Sequence, residues 1–426
     1  KGLKTVTIKD NVEYLGGMIT GSEVIAYRQD SDLDRLFGLE ETTRISEKTK
    51  ASNFKITKET LPEKLSPSER LNNNLEAISM LNRVESGELE LDITAQEVLA
   101  KYVGWGGLSD VFDESKDGQW KEARAFLKEN LTLPEYETAK ESTLTAFYTP
   151  KIIIDGVYKT LSEMGFKNGN ILEPSMGVGN FIGNLPDEMS KSKFYGIELD
   201  SVSGRIAKLL HPNCNIQISG IEDAHLTSGF YDCIIGNVPF GEYKVNDKKF
   251  NKHNFLIHDY FFAKALDLCV PGGLICFVTS KGTLDKKNGS VRKYISERAD
   301  FLGAIRLPNT TFSDSANTQV TSDIIFLKKK LNHTIKQQEF ETVELNEDNI
   351  PLNSYFISNP DMMLGYMKAD TKRYGSERLV TYLAPNADSD LEADLNRALE
   401  NLPKNVYEKT AGKEVEQKKT PWRSSR

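Results

Sequence analysis

The sequence of 426 residues has few cysteines and histidines, the residues that most often bind metals or form disulfides. Its four cysteines form no Cys-x-x-Cys pair, and most of them have apolar neighbours. His253 and His258 lie five residues apart, off a common helix face, so no metal site is expected there. We expect small core residues in a reducing cytosol at Cys214, Cys233, Cys269 and Cys276.

Long apolar runs are also missing. No run approaches the roughly 18–20 residues that a membrane span requires, and no charged segment followed by an apolar one opens the chain. These absences argue against a membrane-spanning or secreted protein, and we expect a cytoplasmic one.

An excess of positive charge is missing as well. The 54 lysines and arginines face 62 acids, which gives a net charge of −8 and argues against a globally basic protein that coats nucleic acid. A local bias exists, since residues 240–310 contain 12 lysines and arginines against 7 acids. A localised basic face is therefore compatible with the composition.

What the sequence does contain divides it into four regions. Residues 1–65 are polar and predicted to be partly extended, and residues 66–142 are predicted to form a small helical domain, called the helical unit below. Residues 143–330 carry alternating strand and helix patterns. Residues 331–426 are predicted to be a polar C-terminal extension with short helices and a mobile tail.

Capping sequences mark the helical unit. Ser66-Pro67-Ser68-Glu69 and Thr132-Leu133-Pro134-Glu135 each combine a hydroxyl cap, a proline in the first turn and a glutamate that reaches back to the cap. Thr94-Ala95-Gln96-Glu97 is a third predicted helix start, and the loop Gly104-Trp105-Gly106-Gly107 is predicted to end that helix.

The alternation in residues 143–330 predicts the fold class, α/β. Short apolar runs separated by helical stretches favour an open, mostly parallel sheet with helices on both faces. The last two strands are joined without a convincing helix, so the last strand is predicted to be antiparallel. The predicted strands are Asn170–Leu172, Phe194–Ile197, Ile216–Ser219, Tyr231–Ile235, Leu274–Val278, Leu302–Leu307 and Asp323–Leu327.

The first predicted strand leads into a glycine loop, residues 173–181, which reads Glu-Pro-Ser-Met-Gly-Val-Gly-Asn-Phe. Gly177 and Gly179 let the backbone approach a ligand where a Cβ atom would collide. Glu173 in front of them would repel a pyrophosphate, but it suits a ligand with an ammonium group. The alternative is an ordinary strand-to-helix turn.

Acids follow the next two predicted strands. Glu198, 25 residues after Glu173, is placed to accept hydrogen bonds from both hydroxyls of a ribose. Asp223 is placed to bind the amino group of an adenine ring. The alternatives are a helix N-cap, for which Asp200 is the better candidate, and an exposed turn acid at Asp223.

A fourth motif, Asn237-Val238-Pro239-Phe240, follows the strand predicted at Tyr231–Ile235. The side-chain oxygen of Asn237 and the carbonyl oxygen of Val238 are two acceptors for one exocyclic amino group, and Phe240 offers a flat surface on which a base can stack. The alternative is a tight turn that contains proline.

In this order, the motifs resemble the gamma class of S-adenosylmethionine-dependent methyltransferases, which act on the exocyclic N6 of adenine in DNA. The resemblance is strong over residues 145–330. Most of residues 66–400 look similar to large helicase–methylase proteins of phages and conjugative elements, and residues 306–312 are similar to a block in type I modification subunits. The resemblance implies a Rossmann-like methyltransferase sheet, S-adenosylmethionine as cofactor, DNA with a flipped adenine as partner, and a helicase region in the same longer polypeptide.

Carried over residue by residue, the resemblance implies a catalytic box at Asn237, Val238, Pro239 and Phe240. The box departs from the family pattern Asn-Pro-Pro-Phe, because Val238 keeps its carbonyl but lacks the ring that fixes φ. The implied cofactor-binding residues are Phe147, Thr149, Pro150, Glu173, Ser175, Gly177, Gly179, Asn180, Phe181, Glu198, Leu199, Glu222, Asp223 and Asn237.

Four lysines follow the box and are expected to bind DNA phosphates: Lys244, Lys248, Lys249 and Lys252. The alternative is a solvated loop. The chain has no Pro-Cys dipeptide of the kind that cytosine-carbon methylases use, and we find no pair of nucleophile and base. Methyl transfer to a nitrogen needs neither.

Three other functions stay open at this point. An Asn-Pro-aromatic box also suits methylation of RNA or of a protein glutamine. Val238 leaves room for a catalytically silent module that binds cofactor and DNA in an antirestriction system. A nicotinamide dehydrogenase would use the same sheet and ribose acid, although Glu173 and the Asn237 box argue against it.

Overall fold

The computed structural model describes residues 52–57, 60, 64–144, 148–313, 319–331, 339–370 and 380–408, together with the backbone of four strands between residues 3 and 28. Two compact units result, residues 1–50 and residues 51–426. Among the described residues, no helix is both long enough and apolar enough to cross a membrane.

The first unit contains two antiparallel strand pairs. Strand β1 (Leu3–Thr7) pairs with β4 (Val24–Arg28), and β2 (Val12–Tyr14) pairs with β3 (Gly17–Ile19). The extended structure that was predicted for part of this region is therefore present as short strands.

The helical unit opens the second unit with four helices in its described residues: α1 (Pro67–Glu85), α2 (Ile93–Leu99), α3 (Gln119–Asn130) and α4 (Leu133–Glu141). Both predicted capping boxes are present. The Glu69 carboxylate accepts from the Ser66 N–H at 2.7 Å, and the Glu135 carboxylate accepts from the Thr132 N–H at 2.9 Å.

The start and the end predicted for α2 were wrong. Asp92, not Thr94, caps the helix, and its carboxylate accepts from the Ala95 N–H at 2.8 Å. The helix ends at Leu99, well before Gly104, so Tyr102 belongs to the loop. Apolar residues at helical spacing had extended the prediction across a segment that is buried without being helical.

The sheet that was predicted is confirmed, and seven strands form it within the described residues. Its order is β10–β11–β9–β8–β5–β6–β7, and only β11 runs antiparallel to its neighbours. The bounds are β5 Asn170–Glu173, β6 Lys193–Glu198, β7 Asn215–Ile218, β8 Tyr231–Asn237, β9 Cys269–Ser280, β10 Ala299–Leu307 and β11 Ser322–Lys329.

Helices alternate with these strands and bury the central ones. Strands β8, β9 and β10 are almost entirely buried, as parallel strands covered on both faces must be. Three of the four cysteines are buried free thiols, and the fourth, Cys214, is half-buried. The helices are α5 Lys151–Glu163, α6 Asn180–Gly183, α7 Ser201–Leu210, α8 Ile257–Leu268, α9 Gly282–Asp285 and α10 Ser290–Ser296.

The C-terminal extension packs on the sheet. Its elements are β12 Val343–Leu345, β13 Pro351–Asn353, α11 Ser354–Ser358, β14 Tyr366–Asp370, β15 Val380–Ala384 and α12 Leu391–Glu400. The Asn309 N–H donates to Leu383 O at 2.8 Å, and the Tyr407 N–H donates to Met164 O at 2.8 Å. The predicted mobile tail, beyond residue 408, lies outside the described residues.

Candidate active site

The carboxyl ends of three neighbouring strands bring the predicted acids and the box together. Strand β5 lies between β6 and β8, so Glu173, Glu198 and Asn237 end adjacent strands. A Cβ atom added to Gly236 would lie 3.4 Å from Cγ of Glu173, which shows how closely β5 and β8 approach here. In open α/β sheets, ligands bind at this edge.

Glu173 is buried without a hydrogen-bond partner for one of its oxygens. The residue is 2% exposed, and no described residue bonds Oε2. Burial raises the pKa of Glu173 well above its usual value, and the charge of Glu198 raises it further. A buried carboxylate of this kind is stabilised only by a proton or a positive ligand group.

Glu198 is fixed by the backbone on both sides. Its Oε2 accepts from the Gly177 N–H at 2.6 Å, and its Oε1 accepts from the Asp200 N–H at 2.8 Å. Burial, and then the charge of Asp200, raises the pKa of Glu198 to about 7, against the lowering effect of these hydrogen bonds. Each oxygen keeps a lone pair, so the carboxylate can still accept two hydroxyl groups. Leu199, next along the chain, is 72% exposed.

The glycine loop needs its glycines. Gly177 has φ of +56° and Gly179 has φ of +90°, conformations that side chains with a Cβ atom rarely adopt. A Cβ on Gly179 would also lie 2.6 Å from the His211 ring, which is fully buried beneath the loop. Burial lowers the pKa of His211 to about 4, so this ring is neutral at physiological pH.

The other predicted loop residues differ in position. Ser175 is half-buried, and Asn180 is 5% exposed with an Oδ1 that no described residue bonds. Phe181 points into the core, where its ring contacts Tyr158 edge to face at 6.1 Å. The structure therefore places Phe181 under the loop and not on the side that faces the strand ends of Glu198 and Asn237.

The segment before α5 is only partly described. Phe147 lies outside the described residues, whereas Thr149 is buried and Pro150 caps α5. Tyr148, which was not predicted as a site residue, contacts the glycine loop, with its ring carbons 3.0 Å from the Cβ position of Gly177. Sequence spacing gave no signal for this contact.

The third acidic motif follows β7. The Ser219 N–H donates to Glu198 O at 2.8 Å, so residues 220–223 leave the sheet beside the ribose acid. Asp223 is exposed, and Glu222 is half-buried. Burial raises the pKa of Tyr243, and so does the charge of Glu222, which therefore lies near the loop after the box.

The box itself is held by β9. The Val238 N–H donates to Val278 O at 3.0 Å, and the Val238 side chain is 1% exposed. Pro239 and Phe240 are half-buried, as is Asn237. A proline at position 238 could not make this hydrogen bond, so valine replaces the restraint of a ring with a restraint from the neighbouring strand.

A charged cluster missed by the sequence interpretation lies next to the box. His258 and Asp259 open α8 and are buried, and Lys286 pairs with the Asp259 carboxylate. Burial, and then the charge of Lys286, lowers the pKa of His258 to about 4. Among the residues that the structure describes, no group of three or more acids, histidines and cysteines could hold a metal ion.

The four lysines after the box are exposed but not equivalent. Lys249 forms an ion pair with Asp267 at 2.5 Å, and Lys244 donates to the Asn254 side chain at 2.7 Å. Lys248 and Lys252 extend into solvent from the same segment. A contact with DNA by these side chains stays a prediction.

Comparisons with known proteins agree with this geometry. Residues 189–312 match the family described as Eco57I restriction-modification methylase. Defense against restriction protein B of Escherichia phage P1 is 30% identical over 262 residues, which are 60% of this chain and 10% of that protein. Type II methyltransferase M.CvrRI of Paramecium bursaria Chlorella virus XZ-6E is 35% identical over 96 residues, 22% of this chain and 24% of that protein.

Among solved structures, the methyltransferase subunit of a type I restriction-modification system from Streptococcus thermophilus is similar, with a TM-score of 0.38 and 16% identity. That likeness covers 67% of this chain and 73% of the subunit. The chain itself spans about a tenth of the phage protein and about a quarter of the viral methyltransferase.

The strand order and the site define a Rossmann-like methyltransferase fold, as the sequence predicted. Within it, residues 189–312 carry a domain of the Eco57I restriction-modification methylase family, which confirms the predicted resemblance to modification methylases.

Proposed function

We propose that this chain is a restriction-modification type methyltransferase that transfers a methyl group from S-adenosylmethionine to the exocyclic N6 of adenine in DNA. The observation that carries the proposal is the meeting of Glu173, Glu198 and Asn237 at the ends of adjacent strands. The chain would act within a longer mobile-element or phage protein that also contains a helicase region. Its free cysteines suit a cytoplasmic location.

The cofactor side of the site suits a positively charged nucleoside. Glu173 is buried, has an oxygen without a partner and is beside a second acid, so a ligand with a positive charge would stabilise both carboxylates. Glu198 would accept the two ribose hydroxyls, while Gly177 and Gly179 leave room for the ligand to approach the backbone. When bound, the cofactor supplies the electrophilic methyl group.

The target side needs only positioning. The Asn237 side-chain oxygen and the Val238 carbonyl would accept both N–H bonds of the adenine amino group and aim its lone pair at the methyl group. Phe240 would stack on the base. Holding the reactants in line is the main contribution that such a site makes, and no covalent enzyme intermediate is required.

The DNA side is the least constrained part of the proposal. Flipping an adenine out of a duplex costs a few kcal/mol, which contacts to the backbone must offset. We assign these contacts to the exposed lysines that follow the box, Lys248 and Lys252 in particular, with Lys244 and Lys249 secondary because other side chains already bond them. The names of the two similar proteins, a restriction-defense protein and a type II methyltransferase, support DNA as the substrate.

The test is substitution of the box asparagine. Asn237→Ala should reduce methyl transfer to DNA by at least about a hundredfold, because the amino group loses its side-chain acceptor. Calorimetry should find the affinity for S-adenosylmethionine within about threefold of wild type, since Asn237 would act mainly on the target. The assay is transfer of labelled methyl to random-sequence DNA, followed by sequencing of the modified adenines.

The control is Asn72→Ala on the exposed face of α1, which should leave both measurements unchanged. Unchanged turnover in Asn237→Ala would remove the box from the mechanism. Label on RNA or protein instead of DNA would favour the alternative substrates. Cofactor binding without any methylated product in the wild-type protein would favour the silent module.

A further inference from the structure

The ring of Tyr148 lies between two glycines of different parts of the chain. A Cβ atom on Gly104 would be 2.8 Å from Cε2 of Tyr148, and one on Gly177 would be 3.0 Å from Cε1, on the opposite edge of the ring. Gly104 belongs to the helical unit and Gly177 to the glycine loop. The ring therefore fills the space between them, and only glycine fits on either side.

The helical unit holds its side of this contact rigidly. Asn74 on α1 is fully buried, and its amide donates to Gly104 O at 2.7 Å while its carbonyl accepts from the Val103 N–H at 2.9 Å. The Arg70 guanidinium donates to Gly106 O, and the Gly107 N–H donates to Thr143 O at 3.1 Å. The loop of residues 102–107 thus has little freedom to move away from Tyr148.

The glycine loop also enters the core of the helical unit. Val178, between Gly177 and Gly179, is fully buried in the apolar cluster that contains Leu99, Trp105 and Val111 of the helical unit. In this cluster the side chains of the helical unit surround a residue of the cofactor loop. The loop therefore has two attachments outside the sheet, the ring of Tyr148 and the side chain of Val178.

We propose that the helical unit positions the glycine loop for cofactor binding, through the ring of Tyr148 and the buried side chain of Val178. This inference rests on the proposed function, since the ligand is the cofactor of that reaction. It gives the Gly104-Trp105-Gly106-Gly107 motif a role that the box and the acids leave unexplained: positioning without contact to the target base. Cofactor affinity would then depend on contacts that lie outside the sheet.

The first test uses Gly104→Ala, whose methyl group would displace the Tyr148 ring. We expect calorimetry to show affinity for S-adenosylmethionine lower by about tenfold or more. The matched control is Gly87→Ala in the same helical unit, because Gly87 has a similar φ of +77° but no atom within 4 Å of its Cβ position. That control should lose thermal stability through backbone strain and keep the wild-type affinity.

A double-mutant cycle shows whether Tyr148 carries the effect. In a Tyr148→Ala background, Gly104→Ala should cause no further loss of affinity, because the displaced ring is absent. Tyr148→Phe keeps the ring and should bind cofactor as the wild type does. Equal losses from Gly104→Ala in both backgrounds, or no loss in either, would overturn the proposal.

A second pair of variants keeps the test independent of Gly104. Val178→Ala and Val111→Ala each remove a fully buried valine from one cluster, so both should lower the melting temperature. Only Val178→Ala should weaken cofactor binding, and equal affinity in the two variants would also contradict the proposal. If the wild-type protein binds no S-adenosylmethionine at all, the proposed function fails instead, before any variant is compared.

Discussion

At the scale of single residues, the site is defined by two acids that share one buried environment. Burial raises the pKa of both Glu173 and Glu198, and the charge of Glu198 acts on Glu173 as well. For Glu198, a folded-state pKa of about 7 against the usual 4.5 means that the folded protein binds a proton more tightly than the unfolded chain. Its contribution therefore makes the ligand-free protein less stable as the pH rises from about 4.5 to about 7.

Cofactor affinity should consequently depend on pH. Because Glu198 must be a carboxylate to accept two ribose hydroxyls, the dissociation constant should rise as pH falls below about 7, by up to about tenfold per unit for one proton released. Calorimetry between pH 6 and 8, in two buffers of different ionisation enthalpy, measures both the affinity and the protons released.

The control for this pH dependence is Glu198→Gln, which cannot release that proton. It should bind more weakly and show a flatter pH profile than the wild type. His211 does not confuse the result, since its pKa of about 4 lies below the range. A wild-type affinity that is constant from pH 6 to 8, without proton release, would contradict the assignment of Glu198.

Some of these residues were predictable from the sequence and others were not. Glu173 and Glu198 follow short apolar strands, and the ends of parallel strands meet at one edge, so their proximity follows from the alternation alone. Tyr148 and His211 contact the loop from positions 29 and 32 residues away from the glycine each one meets, Gly177 and Gly179 respectively. Such contacts depend on how helices pack, and a local pattern carries no information about them.

At the scale of elements, the loop after the box connects the catalytic strand to α8. Its backbone bonds α8 directly, since the Ile257 N–H donates to Tyr243 O at 2.9 Å. Within it, Asp247 accepts from both Tyr260 and Lys264 at 2.9 Å. The loop is thus anchored at several points, and its exposed lysines are presented from a fixed base.

The lysines of this loop should differ in their effect on DNA binding. Lys248→Ala should reduce the slope of log affinity against log salt by about one, because one phosphate contact is lost. Lys249→Ala should change the slope much less, because its ammonium group is already paired with Asp267 at 2.5 Å. Titrations of a fluorescent duplex at several salt concentrations measure both slopes. Equal changes in the two variants would show that the Lys249 ion pair opens when DNA binds.

Element boundaries were predicted best where a local signal exists. The capping boxes at Ser66 and Thr132 marked helix starts correctly because the cap and its partner are three residues apart. Strand β9 begins at Cys269, five residues before the predicted start, since Pro271 and two glycines had argued against a strand. Its pairing partners, and not its own residues, make that segment extended.

At the scale of the whole molecule, the C-terminal extension is part of the second unit and not an appendage. The Leu364 N–H donates to Arg306 O at 3.0 Å, and the Tyr407 hydroxyl donates to Asp232 at 3.2 Å. These contacts lie on β10 and β8, so the extension reaches from the edge of the sheet to its centre. Composition alone had predicted a polar extension, because buried residues such as Phe356 and Leu383 are scattered among polar ones.

Arg306 is the buried group on which this arrangement depends most. Its side chain is fully buried, bonds both oxygens of Asp323 at 2.8 and 2.9 Å, and bonds Asp285 at 2.6 Å. It also lies over the Phe356 ring of the extension, 4.3 Å from the centroid. Two buried carboxylates on different elements therefore share one cation, which is itself covered by the extension.

Removing that cation should destabilise the second unit as a whole. Arg306→Met leaves two carboxylates buried without a partner, and we expect the free energy of unfolding in urea to fall by about 3–5 kcal/mol. Arg397→Met is the control, because Arg397 pairs with Asp394 on an exposed face of α12 and its loss should cost less than about 1 kcal/mol. Adding Asp323→Asn to Arg306→Met should recover part of the loss, since one uncompensated charge disappears. If both arginine variants unfold at the same urea concentration, the buried network does not join the sheet to the extension energetically.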